Sequence, residues 1–256
     1  MKKLSITLVL IGLLVSCKTK EIKKVKNPPN IVIIYADDLG WVDVGYNKYS
    51  KFYETPYIDK LASEGLILNR FYPSAANCAP SRASMMSGMF TPKHGVYLPQ
   101  GLSRGGAIEE MRFKVPTHDA DSSFNTFPVS INQLNPDFMS LAELLNKAGY
   151  KTARYGKWHI GQDNQGFDVN SANGEIGYIT NHGKSEKRFY SDTLVAEKLT
   201  TASIDFIKEN KKGPFFLYLA HWEVHGPNKA RKDRISYFQN KKESLGFSEF
   251  NAAYAA

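Results

Sequence analysis

Cysteine is nearly absent: the 256-residue chain has two, Cys17 and Cys78. Cys17 follows an apolar leader, so the body of the protein holds one thiol and no disulfide framework can staple it. No apolar run is long enough to span a bilayer comfortably. The leader's run, Leu4 to Val15, falls short of the roughly 20 residues a spanning helix needs. Internal repeats are missing, as is low complexity outside one lysine-rich stretch. A large charge of one sign is missing from the body too. The formal net charge is +8, but seven lysines and one glutamate lie within residues 1–26, which leaves +2 for the rest. This excludes a basic body built for nucleic acid. About 230 residues remain, enough to enclose one large core.

What is present begins with an export signal. Met1-Lys2-Lys3 and the apolar run after it form the charged and apolar parts of a signal peptide over residues 1–16. The end of that run, Leu14-Val15-Ser16-Cys17, resembles a bacterial lipoprotein box and implies cleavage before Cys17 and lipidation of its thiol. The alternative is an ordinary secretory signal with an incidental cysteine. Residues 17–29 read as a polar, lysine-rich tether that cannot bury a core. The expected location is the cell envelope, lipid-anchored, facing the periplasm or the outside.

From residue 30 onward strands and helices alternate, which predicts an α/β fold with a mostly parallel central sheet flanked by helices. The β-rich run Asn30 to Ala36 reads as a central strand buried on both faces. Thr55 to Gly65 reads as a helix with Thr55 as its cap, Leu66 to Phe71 as a short strand, and Ser140 to Gly149 as a helix opened by a Ser140/Glu143 capping box. Tyr150 to Tyr155 reads as a strand, Thr193 to Asn210 as an amphipathic helix, and Phe215 to Ala220 as a buried strand. The stretch 97–133 lacks periodicity and reads as a long substrate-facing loop, with 162–190 as further rim. Three of the strands deliver polar residues at their C-terminal ends, the edge where open α/β sheets bind ligands.

Chemistry concentrates on that edge. Asp37 and Asp38 are adjacent carboxylates leaving a strand and need a counter-charge; a hard divalent cation is the usual one, and a solvated turn is the plain alternative. Lys157 and His159 lie two apart beyond a strand, so both side chains can point to one side. Taken singly, they also suit a surface lysine and a core-edge histidine. His225 stands in a loop before Gly226-Pro227, where a structural role is the ordinary expectation. Cys78 lies in Asn77-Cys78-Ala79-Pro80-Ser81-Arg82. A cysteine just before the first turn of a helix faces unpaired N–H groups and the positive end of the helix dipole.

Together and in order, these motifs resemble the sulfatase family of the alkaline-phosphatase-like superfamily. The resemblance rests on Asn30 to Gly40, on Thr55-Pro56-Tyr57-Ile58-Asp59, and on Cys78-Ala79-Pro80-Ser81-Arg82 with Met86-Ser87-Gly88. It is completed by Gly149-Tyr150-Lys151-Thr152-Ala153 running on to Gly156-Lys157-Trp158-His159, and by Phe215 to Pro227. It implies that a maturation enzyme oxidises Cys78 to formylglycine, whose hydrate is the nucleophile. It implies that Asp37, Asp38 and the modified Cys78 ligate Ca2+ or Mg2+, and that Arg82 steadies the modified residue. Lys157 is implied to bind the sulfate and the diol, His159 to hydrogen-bond the formylglycine, and His225 to contact the ester oxygen. The implied substrate is a sulfated carbohydrate or another sulfate ester. Asn77, His94, His182 and His221 match no catalytic position of the family. The family pattern also includes a later acidic pair, a further lysine and a small C-terminal subdomain, none of which stands in these residues. The expectation for 30–256 is therefore an incomplete N-terminal catalytic domain, inactive alone. Two other readings stay open: a phosphonate or phosphate-ester hydrolase of the same superfamily, and a non-catalytic glycan-binding lipoprotein.

Overall fold

The computed structural model describes residues 27–99, 113–114, 127–128, 130–131, 133–161, 165–170, 195–226 and 228–256. The leader, most of the tether, most of the 97–133 loop, most of the 162–190 rim and His182 lie outside them. Among the described residues, no helix is long and apolar enough to cross a membrane.

In chain order the elements are β1 (Ile31–Tyr35), α1 (Pro56–Glu64), α2 (Cys78–Ser87), α3 (Thr91–His94), β2 (Phe113–Lys114), β3 (Phe127–Pro128), α4 (Leu141–Lys147), β4 (Lys151–Gly156), β5 (Val169–Asn170), α5 (Val195–Asn210), β6 (Phe215–Ala220), α6 (Lys232–Ser244) and α7 (Ala252–Ala255). Four strands form a sheet in the order β1-β6-β4-β5, and every pairing in it is parallel. β2 and β3 pair separately and antiparallel.

Strand β6 is buried along its whole length because both of its neighbours pair with it and both faces are covered. On one face Phe216 and Tyr218 pack with Trp158, Phe167 and the α2 residues Ala79, Ala83 and Met86. On the other, Leu217 and Leu219 pack with Ala153, Tyr155 and the α5 residues Leu199 and Phe206. The result is a sheet between helical layers, the arrangement parallel strands require. A third, aromatic cluster joins Phe52 to Phe238 and Ala252, with Phe250 stacked on Phe52 at 4.8 Å.

The helix punctuation agrees with the local chemistry in part. The Ser140 hydroxyl accepts from the Glu143 N–H while the Glu143 carboxylate accepts from the Ser140 N–H, so the capping box is formed. Thr55 does not cap α1 through its side chain; its hydroxyl instead donates to Asp59 and accepts from the Gly45 N–H. Residues 66–71 are not a strand, since among the described residues no strand lies beside them to take their hydrogen bonds. β1 is not buried on both faces: Ile31, Ile33 and Tyr35 pack on the core, while Val32 and Ile34 are 45% and 64% exposed. It is the terminal strand of the described sheet, so the apolar run reflects a parallel strand that α5 does not reach over.

Gly156 ends β4 at φ +92°, and a Cβ there would lie 1.9 Å from the Ala220 carbonyl oxygen. Only glycine lets β4 and β6 meet closely at the end that delivers Lys157. Gly156→Ala is expected to lower stability by about 3 kcal/mol or more, read from the midpoint of urea unfolding.

Candidate active site

The C-terminal ends of β1, β6 and β4 lie side by side, and backbone hydrogen bonds tie together the segments beyond them. The His221 N–H donates to the Tyr35 carbonyl at 2.9 Å, and the Lys157 N–H to the Ala220 carbonyl at 2.9 Å. The Asp37 N–H donates to Glu223 and the Val224 N–H to Asp37. Residues far apart in sequence are thereby brought to one sheet edge.

At the centre is Asp37, only 3% exposed. Its Oδ1 accepts from Arg82 Nη2 at 3.0 Å, and its Oδ2 pairs with Lys157 Nζ. Arg82 is fully buried and also donates through Nη1 to the Lys157 carbonyl and to the Tyr218 hydroxyl, at 2.8 and 2.9 Å. The Tyr35 ring lies 4.6 Å from the guanidinium, and the Trp222 ring 5.2 Å from the Lys157 ammonium. Burial raises the Asp37 pKa, but the hydrogen bonds and charges of Lys157 and Arg82 outweigh it and hold the carboxyl below its ordinary value. Burial pushes the Tyr218 hydroxyl up to about 12. Arg154 adds another buried cation, stacked 4.3 Å from the Trp158 ring; burial lowers its pKa to about 10, so it stays charged at neutral pH. Two buried cations, Arg82 and Lys157, thus face one buried carboxylate.

Cys78 is the first residue of α2, not the residue before its first turn. Its half-buried Sγ lies 3.2 Å from His159 Nδ1. Desolvation, then the charges of Lys157 and Arg82, lower the His159 pKa to about 4, so its imidazole is neutral at pH 7. The site therefore joins Lys157 and His159, just past β4, to α2's Cys78 and Arg82.

Asp38 lies on the solvent side, with backbone φ +59°, and its Oδ2 is 3.7 Å from His225 Nε2. Asp37, Asp38 and His225 each place a ligand atom within 4.8 Å of the others. That group contains His225, which the resemblance assigned to substrate, and not Cys78, which it assigned to the metal. Two carboxylates and an imidazole fit a divalent cation, with the carboxylates favouring Ca2+ or Mg2+. Calcium takes about six to eight oxygen ligands, so three side chains form only part of a shell. The counter-charge that Asp37 requires comes already from Arg82 and Lys157.

Of the remaining histidines, His94 is buried, bonded to Ser84 through Nε2 and to the Val96 N–H through Nδ1, which is a structural role. His221 is half-buried, 3.9 Å from Glu223. Tyr218 and Tyr35 were missed by sequence reasoning. Their alternation within apolar strands is the signature of core packing and carries no sign of the buried guanidinium they hold.

Asp37→Asn leaves Lys157 and Arg82 facing no carboxylate, and a loss of about 3–5 kcal/mol in urea unfolding at neutral pH is expected. His159 adds a pH dependence of known sign. Its folded pKa is below its unfolded one, so its contribution is full above pH 6.5 and is lost as pH falls toward 4. Stability measured across that interval should fall with acid, and His159→Gln should flatten the slope.

The profile of the Sulfatase family matches residues 29–249. N-acetylgalactosamine-6-sulfatase of Mus musculus is 31% identical over 230 residues, covering 78% of this chain and 40% of that protein. A sulfatase of Formosa agariphila is 34% identical over 323 residues, covering 100% of this chain and 55% of that protein. The crystal structure of Ps i-CgsB has a TM-score of 0.61 and 29% identity, covering 89% of this chain and 51% of that one. The chain spans between 40% and 55% of the length of these two curated relatives. The sheet edge that gathers Asp37, Cys78 and Lys157 lies within the span of the profile match, and the chain belongs to the sulfatase family.

Proposed function

We propose that these residues form the nucleophile half of a sulfuric ester hydrolase site acting on sulfated glycans. The observation that carries the reading is the meeting of Cys78 with His159 at 3.2 Å beside the buried Asp37–Arg82–Lys157 network. The nucleophile is a formylglycine made from Cys78 by a maturation enzyme, and its aldehyde hydrates to a geminal diol. One diol oxygen attacks sulfur as the ester oxygen leaves with a proton, giving a sulfate ester on the Cys78-derived carbon. The second hydroxyl then loses its proton, the carbonyl re-forms, and sulfate departs. A serine in this place would stop at a stable sulfate ester.

Lys157 and the Arg82 charge behind it stabilise negative charge that spreads over the sulfuryl oxygens. Arg82 acts from beneath, holding Asp37 and the Lys157 backbone in place. Neutral His159 can accept or donate a hydrogen bond at the diol. His225 faces the open side, where the ester oxygen lies. Asp37 and Asp38 would hold a Ca2+ or Mg2+ ion, which would supply Lewis-acid polarisation of the sulfuryl oxygens when bound.

A sulfated-glycan substrate is supported by relatives named for N-acetylgalactosamine-6-sulfate and by Ps i-CgsB solved with k-i-k-neocarrahexaose at 28% identity. The leader and Cys17 support export and lipid anchoring at the cell envelope.

The test is mass spectrometry of the Cys78 peptide after co-production with a formylglycine-generating enzyme. The expected product is an aldehyde that couples to a hydrazide, absent in Cys78→Ala. An unmodified thiol favours a glycan-binding lipoprotein instead. In a longer protein that completes the site around the modified Cys78, sulfate monoesters should turn over faster than phosphodiester or phosphonate analogues, and Lys157→Met should lower kcat/KM at least about 100-fold. The reverse ranking selects the phosphate-ester reading.

A further inference from the structure

Lys157 is the member of the ion triad that the proposed chemistry brings to the substrate, and few groups hold its side chain. An ammonium carries three N–H donors. Among the described residues Asp37 is the one hydrogen-bond partner of Lys157 Nζ. A second group lies against it: the Trp222 indole, whose ring centre is 5.2 Å from Nζ, within the range of a cation–π contact. Lys157 is only 1% exposed, so these contacts, and not water, hold its charge. The indole is itself firmly placed. The His221 N–H donates to the Tyr35 carbonyl, the Asp37 N–H to Glu223 and the Val224 N–H to Asp37, so the backbone on either side of Trp222 is bonded to the segment that carries Asp37. The Trp222 carbonyl accepts from the His225 N–H at 3.0 Å, and its side chain packs on the cluster of Leu199, Leu217 and Leu219. Asp37 and Trp222 therefore meet Lys157 from one hydrogen-bonded unit.

A carboxylate in the place of Trp222 would neutralise the ammonium and occupy its remaining donors. An aromatic face does neither: it attracts the cation through its quadrupole and leaves the net charge unchanged. The geometry points to Trp222 as a positioning residue that fixes the Lys157 ammonium for the sulfuryl group while leaving its charge and its remaining N–H donors to the sulfuryl oxygens. Tyr35 stands in the same relation to Arg82, at 4.6 Å, but Arg82 is also fixed by the Lys157 carbonyl and the Tyr218 hydroxyl. Lys157 has no such further hydrogen bonds among the described residues, so its aim depends on the indole. A tryptophan that only packed against α5 could give way to another large apolar side chain with no effect on Lys157.

The inference rests on the reading of Lys157 as the sulfate-binding cation, and two measurements keep the two apart. The first needs no activity. In the 256-residue chain with isotope-labelled lysine, the indole ring current should move the NMR signals of the Lys157 ε-methylene upfield of the other lysines, the assignment coming from their loss in Lys157→Met. The shift should persist in part in Trp222→Phe and vanish in Trp222→Leu. The second uses a longer protein that completes the site around the modified Cys78. There Trp222→Leu should lower kcat/KM about tenfold, and Trp222→Phe, which keeps an aromatic face, should stay within about threefold of wild type. An unshifted Lys157 signal in wild type overturns the inference. So does wild-type kcat/KM in Trp222→Leu, or a Trp222→Phe as impaired as Trp222→Leu. If Lys157→Met keeps full turnover, the sulfate-binding reading of Lys157 falls and the catalytic role of Trp222 falls with it, while the lysine shift still decides whether the indole holds the ammonium.

Discussion

A single carboxylate buried between two cations organises this molecule. Asp37 leaves β1, Arg82 comes from α2, and Lys157 lies just past β4, so the ion triad ties two strands and a helix at one point. None of the three tolerates burial alone, because an unpaired charge in the interior costs several kcal/mol. Their mutual satisfaction fixes the tilt of α2 against the sheet, and with it the place of Cys78. The Tyr218 hydroxyl and the Lys157 carbonyl take further Arg82 donors, so the guanidinium also fixes the end of β4 against β6.

The same arrangement gives the site its sign. Arg82 and Lys157 outnumber Asp37 in the buried ion triad. An interior with surplus positive charge suits an anionic reacting group, and a sulfuryl group disperses its charge without a proton to lose. A neutral His159 beside Cys78 results first from desolvation and then from the same field, because Lys157 and Arg82 oppose its protonation. The site's electrostatics and its structural integrity therefore cannot be changed independently at these positions.

Much of this was legible in the sequence because it rests on short-range rules. The alternation of apolar runs with capped helices announced parallel strands, and polar residues after three of those runs marked the ligand edge. Ser140 with Glu143 and Pro56 in the first turn of α1 acted as their local chemistry demands. The failures share a cause as well. Residues 66–71 have a strand's composition without a neighbour to pair with, and β1's apolar residues did not reveal that α5 covers only β4 and β6. Thr55 has the chemistry of a cap, but Gly45 and Asp59 compete for its hydroxyl.

Sequence alone determined the inventory of this protein: one thiol in the body, an acidic pair, Lys157 with His159, and the order of elements that carries them to one edge. Family membership was readable from the same motifs. Tertiary structure alone decided who meets whom. It gave Asp37 to Arg82 and Lys157, set Cys78 against His159, drew His225 into the acidic cluster with Asp38, and sent Tyr254 back to Gly40 and Asp43. The reason is physical. Propensity and capping act over a few residues, whereas the pairing of buried charges depends on the register of distant strands, as for Lys157 and Asp37, 120 residues apart, which no local pattern encodes.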